Sequence, residues 1–264
     1  MQRMFAAAAL GLGLVAATAP AQDMIRDVDL SSPDMVSAEM TRAEVEATLA
    51  AATAAAPADF SGKRLSGLDL SGLNLSGAIL RAARLNKTRL AGAKLDGAVL
   101  DQAWLLEADL TGASLKGANL FASQMRRARL DGADLKQARV TADLTGASLV
   151  GASIAGANLG ADMRNQSMGL IRTVLKSANL ERLGARGADL SRADLEFASL
   201  KGADLTGASL KGAELGGADL TGVTLIGTDF DGADLASAKL SVPIGLDQVK
   251  NFDKAKNVDR LIKE

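Results

Sequence analysis

Between positions 108 and 120 the chain reads Ala108-Asp109-Leu110-Thr111-Gly112-Ala113-Ser114-Leu115-Lys116-Gly117-Ala118-Asn119-Leu120. A large apolar residue recurs every five positions, with Ala two residues before it and a small or turn-forming residue two after. Five steps in an α-helix would turn the Leu positions by about 140° each time, so no apolar stripe could form. In an extended segment, residues two apart share a face. Ala108 and Leu110 then point the same way and Asp109 points out. Thr111 and Gly112 are left to turn the chain, and Gly suits a corner that needs positive φ. The pattern predicts a coil of short extended sides joined by corners, with Leu inside and small Ala letting the walls approach.

The same frame runs from Ala58 to Val242 in 37 units, 30 of which carry Leu at the centre. Coincidence on this scale marks a repeat architecture rather than a biased composition. The other centres are Phe60, Met125, Val140, Ile154, Met163, Ala185 and Phe230. The frame loses one residue between Val140 and Leu144 and another between Leu159 and Met163. It regains two before Leu170, which predicts a small bulge over 164–169. Such a bulge bends the rod or, on a second reading, forms a recognition loop.

Repeated Ala-Asp/Asn-Leu-x-x resembles the pentapeptide-repeat family over 58–242. The resemblance implies an all-β solenoid, a right-handed quadrilateral β-helix with four units per coil and about nine coils, stacked near 4.8 Å apart. Helical caps are expected at both ends, because solenoid ends are open edges. Thr41-Arg42-Ala43-Glu44 is a capping box, so a helix should run to about Ala55 and stop before Pro57, with Val45, Leu49 and Ala52 on one face. Residues 246–262 are read as one or two short helices from the spacing of Leu246, Val249, Phe252, Val258, Leu261 and Ile262.

Upstream, Arg3, the apolar run from Phe5 to Ala17 and Ala19-Pro20-Ala21 read as a secretory signal cleaved before Gln22. The organisation expected is signal 1–21, lead-in and N-terminal helix 22–57, solenoid 58–242 and C-terminal cap 243–264. The run is too short for a stable membrane span. Export to the periplasm or medium is expected.

The chain contains no His, no Cys and no Tyr, and aromatics make up 3% of it against 48% apolar residues. No disulfide, Cys/His zinc site, Ser-His or Cys-His catalysis can be built. Asp residues such as Asp109, Asp204 and Asp219 recur because the repeat recurs, and are read as corner-stabilising. A Leu-filled coil leaves no pocket, so no catalytic, cofactor or metal site is expected and the chain is read as non-enzymatic. A carboxylate-dependent hydrolase is the enzymatic alternative.

The net charge of −1 conceals an asymmetry. Residues 81–139 are net basic and 189–235 net acidic. With four units per coil, Arg84, Lys87, Trp104, Leu106, Arg126 and Arg127 fall on one side, with Trp104 expected exposed among cations. Exposed Trp with Arg is a frequent binding hot spot, so this face is the candidate partner site, the partner expected being another protein. Family resemblance also suggests a nucleic-acid mimic that inhibits a type II topoisomerase, which the basic half and the signal oppose. Direct nucleic-acid binding is not expected. Unlike charges at the two ends allow weak head-to-tail self-association.

Overall fold

The structure, a computed structural model, describes Ile25 and residues 28–163 and 171–263. The expected signal at 1–21 and the bulge at 164–169 lie outside the described residues. From Asp59 onward, isolated parallel bridges link residues 20 apart, as in Asp59 to Ile79 and Arg64 to Arg84. Four units therefore complete one turn, and the outward residues form four columns. The first face begins Asp59, Ile79, Val99; the second Arg64, Arg84, Trp104; the third Asp69, Arg89, Asp109; the fourth Asn74, Lys94, Ser114.

Each side repeats three backbone bonds. Phe60 N–H donates to Ile79 O at 2.7 Å, Ile79 N–H to Ala58 O at 2.8 Å, and Gly62 N–H to Arg81 O at 2.8 Å. A corner closes when Lys63 N–H donates back to Phe60 O at 3.0 Å. Backbone polar groups are thus satisfied between coils, and the side chains alone fill the shaft. Leu110, Leu205 and their equivalents are fully buried, as are the Ala residues two before them. Ala185 interrupts the Leu series, but Leu183 stands in the neighbouring Ala slot and is also buried, so the two positions exchange sizes and conserve volume. In the full-length units the third residue of the corner has positive φ, whether Gly, as at Gly62 (67°), or a larger residue, as at Lys87 (56°).

The outward Asp and Asn residues cap these corners. Asp109 Oδ1 accepts from the Thr111 amide at 3.1 Å and hydroxyl at 2.6 Å, and Asn74 Oδ1 accepts from Ser76 N–H at 3.2 Å. Burial opposes ionisation of Asp109, but the Thr111 hydroxyl and amide outweigh it and hold the carboxyl below its ordinary range. The recurring Asp is therefore a corner device.

The register changes at the corner between the first and second faces. Bridge offsets fall to 19 at Gln124 to Asp143, as the missing residue after Val140 requires. The next offset is 31, from Asp143 to Val174. The ladder thus passes from Asn158 to Val174, an excursion whose described ends pair antiparallel, Asp162 with Ile171. This corrects the expected slip at Met163. Ala161-Asp162-Met163 matches the repeat by letter, but Met163 is exposed and fills no inward slot. Thr173 closes the neck of the excursion. Its buried hydroxyl lies 2.7 Å from Val140 O and 2.6 Å from Leu159 O.

At the N-terminal end α1 (Pro33–Val36) precedes α2 (Arg42–Ala51), which starts at the Thr41 capping box as expected and ends a turn before Ala55. Val45 is buried, and Leu49 and Ala52 pack on the core. Arg42 covers the open edge by donating to Asp69 O at 2.9 Å and Ser71 O at 3.3 Å. Ala38 adds antiparallel to Leu65.

The C-terminal cap differs from expectation. Instead of α-helix there are three 3-10 turns, Leu246–Gln248, Phe252–Lys254 and Val258–Arg260. Ile244, Lys250, Lys256 and Ile262 extend the four columns, bridging to Thr224, Asp229, Asp234 and Lys239. The cap is a further coil with six-residue sides. Ile244-Gly245-Leu246-Asp247-Gln248-Val249, Lys250-Asn251-Phe252-Asp253-Lys254-Ala255 and Lys256-Asn257-Val258-Asp259-Arg260-Leu261 are its repeats. Gly245, Asn251 and Asn257 take the left-handed conformation before each turn. Among the described residues no helix is long and apolar enough to cross a membrane.

Candidate interaction face

The second face and the corner that follows it carry the six candidate residues. Arg84, Trp104 and Gln124 stack in one column, and Lys87, Leu106, Arg126 and Arg127 lie at the corner beside it. Trp104 is half-buried rather than exposed, because the columns above and below flank its ring at the coil spacing. Arg84 Nη1 donates to Gly62 O at 3.4 Å. Arg126 pairs with buried Asp143 at 2.6 Å, and Lys87 stands 3.8 Å from Glu107. Lys87 and Arg127 are exposed.

The corner is already partly covered by the chain itself. The lead-in packs buried Met35 here, and Asn86 bridges the two layers. Asn86 Nδ2 donates to Met35 O at 3.1 Å, and Asn86 Oδ1 accepts from Leu106 N–H at 3.0 Å. Asp34 pairs with Arg64 at 2.6 Å. A cavity of about 190 Å³ between lead-in and corner is lined by Leu30, Met35, Asn86 and Leu106. Leu106 therefore faces the molecule's own N-terminal segment. Sequence reasoning missed this strap because its apolar residues, Leu30, Met35 and Val36, fit neither period.

Farther along the same face the outward residues become acidic: Asp194, Glu214 and Asp234. Arg172, from the base of the excursion, reaches over them. It contacts Glu214 with both terminal nitrogens, at 2.6 and 2.9 Å, and Asp194 at 3.4 Å. Its bonds to Glu214 raise the Arg172 pKa further. Burial pushes the Asp194 carboxyl up, against the Glu196 amide and Arg172. The same corner carries Phe197, exposed, with Lys176 5.6 Å from its ring centre. Phe197 has φ of 58° and its ring lies where a side chain on Gly217 would be, 2.6 Å from an added Cβ. Only a glycine at 217 leaves that space.

Several cations pair between coils at one fixed spacing. A cation just after a centre meets the outward Asp 18 residues on, as Lys116 meets Asp134 at 3.5 Å, Lys201 Asp219 at 3.4 Å and Lys211 Asp229 at 3.2 Å. Such exposed pairs contribute about 0–1 kcal/mol each. In the basic half, Arg81 with Asp101, Lys87 with Glu107 and Arg126 with Asp143 offset part of the positive charge.

A family model described as pentapeptide repeats matches in eight copies, over 58–97, 93–132, 123–165, 188–225 and 213–241. Among solved structures, HetL, a pentapeptide repeat protein involved in heterocyst differentiation regulation from the cyanobacterium Nostoc sp. Strain PCC 7120, is 31% identical. The match covers 82% of this chain and 94% of HetL, with a TM-score of 0.48. QnrB1, a plasmid-mediated fluoroquinolone resistance protein, is 17% identical over 75% of this chain and 90% of its own, with a TM-score of 0.38. A pentapeptide repeat protein from the Arabidopsis thaliana thylakoid lumen is 33% identical over 39% and 65%, with a TM-score of 0.22. Comparison with curated proteins finds no match.

Proposed function

The chain belongs to the pentapeptide-repeat family, whose fold is the right-handed quadrilateral β-helix, and from that premise we propose that it is an exported, non-enzymatic scaffold that binds a protein partner. The rod comprises about nine coils at the coil spacing. The observation that carries the reading is where the side chains go. Inward slots are closed by Leu and Ala, and the outward Asp and Asn are committed to corners. Work is left to the outer surface. On the second face, Arg84 and the exposed Lys87 and Arg127 offer cations beside the half-buried Trp104. This mixture of aromatic body and guanidinium suits a protein surface with carboxylates.

The test is crosslinking capture from the exported fraction, with wild type and an Arg84→Glu, Arg127→Glu variant. Arg127 caps no corner and Arg84 gives one only a long bond, to Gly62 O at 3.4 Å, so the thermal midpoint should change little while the captured partner falls at least about tenfold. Equal recovery by the two proteins rejects this face. Absence of the chain from the exported fraction rejects the compartment.

A further inference from the structure

The third face orders its charges differently from the others. Its first four outward residues are Asp69, Arg89, Asp109 and Arg129, one per coil and each bridged to the next. Read from the opposite end, the series acid-base-acid-base becomes base-acid-base-acid. A second copy laid antiparallel against this face brings Arg129 opposite Asp69 and Arg89 opposite Asp109, and the two-fold axis repeats both pairs. Lys87 and Glu107, at the corner between the second and third faces, obey the same symmetry: each meets the other's counterpart across the axis that runs between their coils. Two independent columns are thus self-complementary about one axis, as an isologous interface requires.

The borders of the face suit such an approach. On the fourth-face side the corners carry Gly72, Gly92, Gly112 and Gly132, and a Cβ added at any of them would meet nothing within 4 Å. That edge is smooth. On the other side Leu30 and Val36, 39% and 51% exposed, line the cavity beside Lys87 and Glu107. The rod ends are less suited, since Arg42 and Ala38 cover one and the six-residue coil covers the other.

We propose that two copies pair side by side and antiparallel through the third face, forming a dimer held mainly by charge. The cis contacts coexist with it: Asp69 lies 3.0 Å from Arg89 and 3.8 Å from Arg42, and the lone pairs that remain on its two oxygens can accept a further cation. Four coils at about 4.8 Å span roughly 19 Å, so the contact belongs with small, reversible interfaces.

Sedimentation equilibrium of the purified chain tests this. At about 0.01 M salt, where charges act over about 30 Å, a reversible dimer is expected; at about 1 M, where they act over about 3 Å, a monomer. Arg89→Glu with Arg129→Glu makes the column wholly acidic, and Asp69→Lys with Asp109→Lys makes it wholly basic. Each should weaken low-salt dimerisation at least about tenfold, and an equal mixture should form the heterodimer. If circular dichroism shows that either column variant fails to fold, Lys87→Glu and Glu107→Lys replace them: each alone weakens the dimer and the mixture restores it. A wild-type monomer at low salt, a mass above the dimer, a dimer whose affinity the folded variants leave unchanged, or folded variants that fail to pair when mixed would each overturn the proposal.

Discussion

The coils from Ala58 to Leu240 and the coil after them share one ladder and differ in one slot. In both, an outward residue gives its N–H and C=O to the coil before it, as Arg84 does to Lys63 and Leu65, and Lys250 to Thr228 and Phe230. The residue that follows decides the rest. After Arg84 comes buried Leu85; after Lys250 comes Asn251, at φ of 53°. The inward Leu leaves the strand extended, with the next edge ready for another coil. The left-handed Asn turns the backbone away and folds Phe252 over the shaft, where its ring meets Phe230 edge-on at 5.5 Å. One slot therefore separates propagation from termination, and an open edge is closed without a helix.

The largest test of this contrast lies within the propagating coils. Leu110→Ala leaves a hole in a fully packed shaft and should cost about 2–5 kcal/mol in urea denaturation. Phe252→Ala should cost less, about 1–3 kcal/mol, because the ring is half-buried and one side is lid rather than core. Its effect should also be local. Hydrogen exchange should quicken over 225–262 and stay slow over 80–120, since each coil contacts only its neighbours. Uniform loss of protection would show that the rod melts as one unit.

Smaller still is the slot itself. Asn257 takes φ of 58° and donates to Asp234 at 2.7 Å. Asn257→Ala should lose about 1–2 kcal/mol, from the left-handed penalty and the bond, whereas Asn257→Gly should lose about half as much. Thermal denaturation of the pair measures this, and equal midpoints would remove the conformational argument.

The smallest effect separates the corner device from its charge. Burial opposes ionisation of Asp219, but the Thr221 hydroxyl and amide and Lys201 prevail, so its folded pKa lies below the ordinary 3.8. A depressed carboxyl stabilises above its unfolded pKa and loses that contribution as pH falls through the folded one. Asp219→Asn keeps the acceptor, as Asn74 and Asn119 already do. The urea midpoints of wild type and variant, apart at pH 7, should converge below about pH 4. A constant gap would mean that the charge is irrelevant to folding.

What the sequence made legible was what repeats. Inward Leu and Ala and the α2 start at Thr41 followed from spacing, and four units per turn from the family resemblance. The excursion stayed hidden because Ala161-Asp162-Met163 imitates a unit, and which letters occupy the ladder depends on Thr173 reaching two carbonyls of neighbouring coils. The six-residue coil was misread as helix because apolar residues three and six apart satisfy a helical period as well as their own. Asn251 and Asn257, spaced six apart with Gly245, were the available signal. Trp104 was expected exposed because it points outward; how far Arg84 and Gln124 in the same column cover its ring is set by side-chain packing, which spacing does not give.

The offset of 31 between Asp143 and Val174 has a consequence for how this chain can change. Eleven residues beyond the normal 20 are accommodated while the columns resume in register, so length at this corner is decoupled from the rod. Closing a longer loop costs only about 0.6 kcal/mol per doubling, and the neck is already fastened by Thr173 and by Arg172 on Glu214. That corner is a graft point: a foreign segment spliced between Asp162 and Ile171 would inherit a fixed base and leave the scaffold's fold to the coils on either side.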